Sequence, residues 1–155
     1  MHIEIGIIEP LRLAAANAAA AALVASQIPA LVKRPMLLPR VAAVGIGVAV
    51  LMQVWHMPVG PSELHLIGAT TAYLFAGLPA ALVGFALALA LQVIVEPKDL
   101  AHIGVNVLSL GLPLVAMHLT FGRRLFGTSL QERFTLGRVL KLDLCYYAGV
   151  AAMVA

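Results

Sequence analysis

Charge is scarce in this chain: Asp, Glu, Lys and Arg make up 11% of its 155 residues, where an ordinary soluble domain carries about 25%. That shortage excludes a soluble globular protein. The single cysteine, Cys145, lies in an apolar run, which excludes an internal disulfide and leaves the redox compartment open. No Gly-x-x-x-x-Gly-Lys-Ser/Thr nucleotide loop, zincin motif or nucleophile elbow occurs. The chain therefore does not hydrolyse ATP itself and is expected not to be an enzyme. A cleavable leader is not expected either, because His2, Glu4 and Glu9 occupy the place of a basic n-region.

What is present is apolar. Hydrophobic residues reach 62%, with a mean hydropathy of +1.00. Apolar runs and their breakers predict an all-α membrane helix bundle of about six spans, forming one domain over residues 1–155. The first runs from Leu11 to Val32 and closes on Lys33-Arg34-Pro35. The second covers Val41 to Trp55, and the third starts near Leu64 and stops at Gly77-Leu78-Pro79. The fourth covers Ala80 to Val95, the fifth Ile103 to Phe121, and the sixth runs from Val139 to Ala155. The second to fourth fall near or below the length of about 20 residues that a span needs. They are expected to pack tightly or to re-enter.

The net charge of +3 is a matter of topology rather than of nucleic acid. Lys33, Arg34 and Arg40 follow the first span; Arg123, Arg124, Arg133, Arg138 and Lys141 lie between the fifth and sixth. These eight of the ten basic residues place both connections in the cytoplasm. The N-terminus and the loops near 56–65 and 96–102 then face outward, with five of the seven acids: Glu4, Glu9, Glu63, Glu96 and Asp99. A negative field there would draw cations, although soluble loops are often acidic anyway.

Four of the five histidines, His2, His56, His65 and His102, fall on that outward side, and His118 on the inner one. Met1-His2 reads as a metal claw. A free terminal amine, the backbone nitrogen of His2 and its Nδ1 close two adjacent chelate rings, leaving one corner of a square for another imidazole. Flat nitrogen sites favour Ni(II) or Cu(II) over tetrahedral Zn(II). His65 is the strongest candidate for the last corner. It follows Gly60-Pro61-Ser62-Glu63-Leu64, where Ser62 is expected to cap the third span and set His65 in its first turn. An interfacial histidine on an ordinary capped helix fits the same stretch. His56, beside Trp55 and Met57, could supply an axial ligand or simply finish a helix at the aromatic belt. His102 and Asn106 share a helix face, and Asn106 is expected to brace the site rather than touch metal. Asn17, Gln27, Gln53 and Gln92 are expected to make interhelical hydrogen bonds. The alanine-rich first span offers small-xxx-small pairs to a helix of this chain or of another subunit.

Together, Met1-His2-Ile3 with Gly6, Gln53, Pro58-Val59-Gly60-Pro61-Ser62, His65-Leu66-Ile67-Gly68 and Gly104-Val105-Asn106-Val107 with Gly111 resemble the CbiM/NikM family. The resemblance covers roughly residues 1–120. It implies the substrate-capture component of an energy-coupling-factor ABC transporter for cobalt or nickel. Its members work with a transmembrane coupling protein and cytoplasmic ATPases, in the cytoplasmic (inner) membrane. Their square site corresponds here to the Met1 amine, the His2 amide and imidazole, and His65, with Asn106 supporting the tucked-in N-terminus. This chain has Glu4-Ile5 where the family has Pro-Asp, and His56 where it has asparagine. The bound ion is expected to be Ni(II) or Co(II), with Cu(II) or Zn(II) as other occupants of such a nitrogen set. The alternatives are a membrane metal sensor or delivery protein, and a structural subunit whose histidines are interfacial.

Overall fold

The computed structural model describes residues 8–59, 62–65, 67–95, 97–127 and 129–154. They form a helical bundle interrupted by one short hairpin. In chain order come α1 (Pro10–Ala25), α2 (Ile28–Lys33), α3 (Leu38–Val54), β1 (His56–Val59), β2 (Ser62–His65) and α4 (Ala69–Ala76). After them come α5 (Leu78–Val95), α6 (Ile103–Thr120), α7 (Leu130–Arg133) and α8 (Leu136–Val154). Turns of 3₁₀-helix at Pro35–Leu37, Pro97–His102 and Gly122–Gly127 join several of them. Among the described residues four stretches are long and apolar enough to cross a membrane: Pro10–Lys33, Pro35–Val54, Leu78–Val95 and Leu100–Thr120.

Proline placement explains most boundaries. Pro39 sits in the first turn of α3, where a missing N–H costs nothing. Pro29 has a stronger effect. A proline ring collides with the carbonyl four residues back, here that of Ala25, which kinks or breaks a helix running through it. It breaks at Ser26-Gln27 into α1 and α2, and the Ser26 hydroxyl donates to the Leu23 carbonyl at 2.6 Å. Pro113 lies inside α6 and removes another helical bond. There the buried Tyr146 of α8 donates its hydroxyl to the Leu110 carbonyl at 3.3 Å, one turn before the proline.

Inside a bilayer lipid tails are as apolar as leucine, so helices associate through close packing and polar contacts. The most extensive pairing is α3 on α5. Gly84 makes it possible: a Cβ there would lie 2.5 Å from Cγ1 of Val44. α8 packs on α6 and α4, burying Leu142, Tyr146 and Val150 at intervals of four. Arg138, Lys141 and Asp143 fall in its first half. Tyr146→Phe should cost about 0.6 kcal/mol, an average for such bonds in membranes. Tyr146→Ala should cost about 3–5 kcal/mol, because packing is lost as well. Unfolding in mixed micelles checks both; equal losses would deny the ring its place in the core.

The expected third span is corrected. Residues expected to open a helix pair instead as an antiparallel hairpin, with His56 opposite His65, Met57 opposite Leu64, Pro58 opposite Glu63 and Val59 opposite Ser62. Pro58 and Pro61 each bias the preceding residue toward extended backbone, which opposes a helix through this stretch. Ser62 and His65 both lie in β2, not in a first helical turn, and the N-cap position of α4 falls at Gly68 with no side-chain cap. Helix α4 starts after Gly68, whose φ of +60° suits glycine, and runs for only eight residues.

Both basic connections stand at one end of the bundle. Arg34 and Arg40 from the first and Arg123 and Arg133 from the second line the same cavity. Because α5 starts at this end and α6 finishes at it, Gln92 and Asn106 lie toward the other. The hairpin, which follows the C-terminus of α3, lies there too.

Candidate metal centre

At the hairpin end, polar side chains are buried where apolar ones would be expected. His65, Thr70, Gln92, His102 and Asn106 are each no more than 4% exposed. Four elements supply them: β2, the first turn of α4, the last turns of α5, and the junction of the Pro97–His102 turn with α6.

His65 is anchored by the end of α3. Its Nδ1 stands 3.1 Å from the carbonyl oxygen of Met52, itself almost fully buried. The last four carbonyls of a helix lack intrahelical partners, and Met52 is one of them. The imidazole thus closes α3 from the side. A carbonyl can only accept, so Nδ1 carries the proton, and in the neutral ring the lone pair then falls on Nε2. Metal-binding histidines are commonly oriented in this way, by donating their other N–H to a carbonyl or carboxylate.

His102 and Asn106 are positioned from farther away. Asn17 of α1 donates through Nδ2 to the Ala101 carbonyl at 3.2 Å and accepts from the Gly104 amide at 2.8 Å. This clamp fixes the entry to α6 and satisfies one of its free amides. It also fulfils the expectation of an interhelical bond at Asn17. Gln27 instead bonds its neighbour, donating to the Ser26 hydroxyl at 2.7 Å. Among the described residues, Thr70 Oγ1, Gln92 Oε1 and His102 Nε2 are buried with no hydrogen-bond partner. Such groups are costly and concentrate where binding is at stake.

Of the residues singled out from sequence, the described side chains bring His65 and Asn106 to the same end of the bundle. Met1 and His2 lie outside the described residues, as does the side chain of His56, whose backbone pairs opposite His65. Among the described residues no three of His, Cys, Asp and Glu gather as a metal-binding group. Thr70 was not singled out from sequence, since a threonine at a helix start usually signals nothing beyond the helix. The burial of His102 was missed as well: it follows from the Asn17 clamp, which joins positions more than 80 residues apart.

His118 belongs elsewhere. Its Nδ1 lies 2.7 Å from the Tyr73 hydroxyl, at the end that carries the arginines.

The chain matches the family model CbiM, described as a cobalt uptake substrate-specific transmembrane region, over residues 2–155. No curated protein and no solved structure matches it.

Proposed function

The chain belongs to the CbiM family, and from that premise we propose that it captures Ni(II) or Co(II) through its N-terminus and His65. Membership makes it a multi-pass membrane component for cobalt or nickel uptake, not an enzyme. In the proposed site the Met1 amine, the His2 amide nitrogen and the His2 imidazole occupy three corners of a square. His65 occupies the fourth through Nε2. The observation that carries this reading is the bond from His65 Nδ1 to the Met52 carbonyl. It selects the tautomer a ligand needs and holds the ring on a rigid helix end. Asn106 and the neighbouring His102 brace the returning N-terminus, and His56, opposite His65 in register, is the further candidate ligand. This arrangement favours Ni(II), with Cu(II) as competitor and Zn(II) disfavoured by geometry.

The hairpin end faces outward and the arginine end the cytoplasm of a cell whose inner membrane holds the protein; the shared cavity of both basic connections supports this. Uptake then needs a transmembrane coupling protein and cytoplasmic ATPases, because the chain has no nucleotide loop. Ala14, Ala18, Ala22 and Ala25 remain exposed along α1, a surface another helix can approach closely.

A metal competition titration on protein with an unmodified N-terminus tests the site, with absorption spectra reporting the geometry. A square-planar Ni(II) spectrum with tight binding is expected; a tetrahedral spectrum, or binding indifferent to N-terminal acetylation, refutes it. Affinity should fall as the medium is acidified, since protons compete for every ligand nitrogen. The same titration at descending pH checks that sign. One extra residue before Met1 should be as damaging as acetylation, because it moves the amine out of chelate reach. Metal binding without uptake, after reconstitution with coupling partners, would favour a sensor or delivery protein.

A further inference from the structure

We infer that the cavity at the arginine end binds the phosphate of an anionic lipid headgroup. The cavity holds about 300 Å³, and four arginines line it: Arg34, Arg40, Arg123 and Arg133. No carboxylate stands among its described lining residues. Away from it, at the start of α1, Arg12 Nε meets Glu9 at 3.4 Å.

Arg34, Arg40 and Arg123 bring like charge to one cavity and repel one another unless an anion joins them. A guanidinium suits that anion well, because its planar fork meets two phosphate oxygens at once. Arg133 is already in place. Its Nη2 donates to the Phe126 carbonyl at 3.0 Å, and its guanidinium lies 4.7 Å above the Phe126 ring. That ring packs edge-on against Tyr73, 5.1 Å between centroids, and Tyr73 bonds His118. The floor is therefore rigid, and only the arginines above it need to adjust.

The rest of the lining points to a lipid. Leu37, Leu78 and Phe126 share the cavity with the charges, so polar and apolar walls meet at the level where a headgroup joins its glycerol. Basic pockets between membrane helices commonly hold anionic headgroups in this way. The same field favours an anion over a cation as the occupant of this cavity. The orientation proposed above matters only for which leaflet supplies the lipid, and the metal site does not enter.

Native mass spectrometry of the full chain, released from vesicles of phosphatidylcholine, phosphatidylglycerol or cardiolipin, tests the inference. Phosphatidylglycerol and cardiolipin should stay bound where phosphatidylcholine does not. Arg34→Gln with Arg123→Gln should weaken that preference by about 30-fold, at roughly 1 kcal/mol for each basic residue near the surface. Arg124→Gln with Arg138→Gln removes two charges from a neighbouring cavity and should leave it intact. Helical content by circular dichroism should match for both pairs, since all but the half-buried Arg138 are exposed. Equal losses in the two pairs, or no headgroup preference, would overturn the proposal. Inorganic phosphate serves as the second arm. Lipid retained against excess phosphate names the lipid as the source, whereas phosphate that binds the lipid-free protein and displaces lipid names the soluble ion and keeps the chemistry. An aspartate-rich peptide that binds there while neither phosphate nor lipid does would overturn it in favour of a protein partner.

Discussion

His65→Ala is expected to weaken Ni(II) binding by more than about 100-fold, since changes in groups that merely support a ligand already cost 10–100-fold. Two effects contribute, and they can be separated. The substitution removes a ligand nitrogen, and it also strips the Met52 carbonyl of the Nδ1–H that closes α3. The second effect should cost about 0.5–1.5 kcal/mol of stability, the usual net worth of a hydrogen bond. His2→Ala takes away a proposed ligand without touching that bond. Calorimetric titration should therefore show comparable metal loss in both variants, while unfolding in micelles shows a stability loss in His65→Ala alone. Wild-type affinity in either variant would dismiss the ligand set. Wild-type stability in His65→Ala would mean that the imidazole contributes nothing to holding the end of α3.

The sequence was most readable where an apolar run meets a proline or a charge. The runs behind α5 and α6 were expected over Ala80–Val95 and Ile103–Phe121 and form helices over Leu78–Val95 and Ile103–Thr120. Hydrophobicity alone sets such elements, and the breakers sit within a residue or two of their ends. The break at Ser26-Gln27 went unread because alanine composition outweighed the single Pro29. The hairpin went unread for a different reason. Strands of four residues carry too few alternations to register a period of two, and Ser62-Glu63-Leu64-His65 also fits a capped helix. Its consequence, His56 opposite His65, depends on pairing register, which no local pattern announces. The arginine cavity lay between these extremes. Its charges were visible as two connections on one side, but their convergence on one space follows from how α2, α4 and α6 end together.

The metal-site reading joins two kinds of support with different reach. Family membership covers residues 2–155 and fixes the broad activity, the uptake of cobalt or nickel. The geometry of this chain contributes what membership does not: a helix end that fixes one tautomer of His65, and a long-range clamp that fixes the start of α6. The clamp is the more demanding of the two, because it depends on a glycine.

Gly104→Ala is accordingly expected to cost about 3 kcal/mol, the upper part of the range for overpacking a core. A Cβ at this position would overlap Asn17 Oδ1 and lie 2.5 Å from the Asn17 Cα and 2.7 Å from its backbone nitrogen. A side chain could turn aside, but backbone cannot, so α1 must withdraw from α6. Both clamp bonds are then lost, and with them the fixed placement of His102 and Asn106. Metal affinity should fall together with stability, although neither helix carries a proposed ligand. Asn17→Ala is the discriminating partner. By itself it breaks the two bonds and should cost about 1–3 kcal/mol, less than Gly104→Ala. In the double variant the loss of Oδ1 should rescue almost nothing, because the overlap with the Asn17 backbone remains. Restored stability there would show that the asparagine side chain, not the proximity of the two backbones, makes glycine necessary. Unfolding of all three variants in the same micelles decides between them.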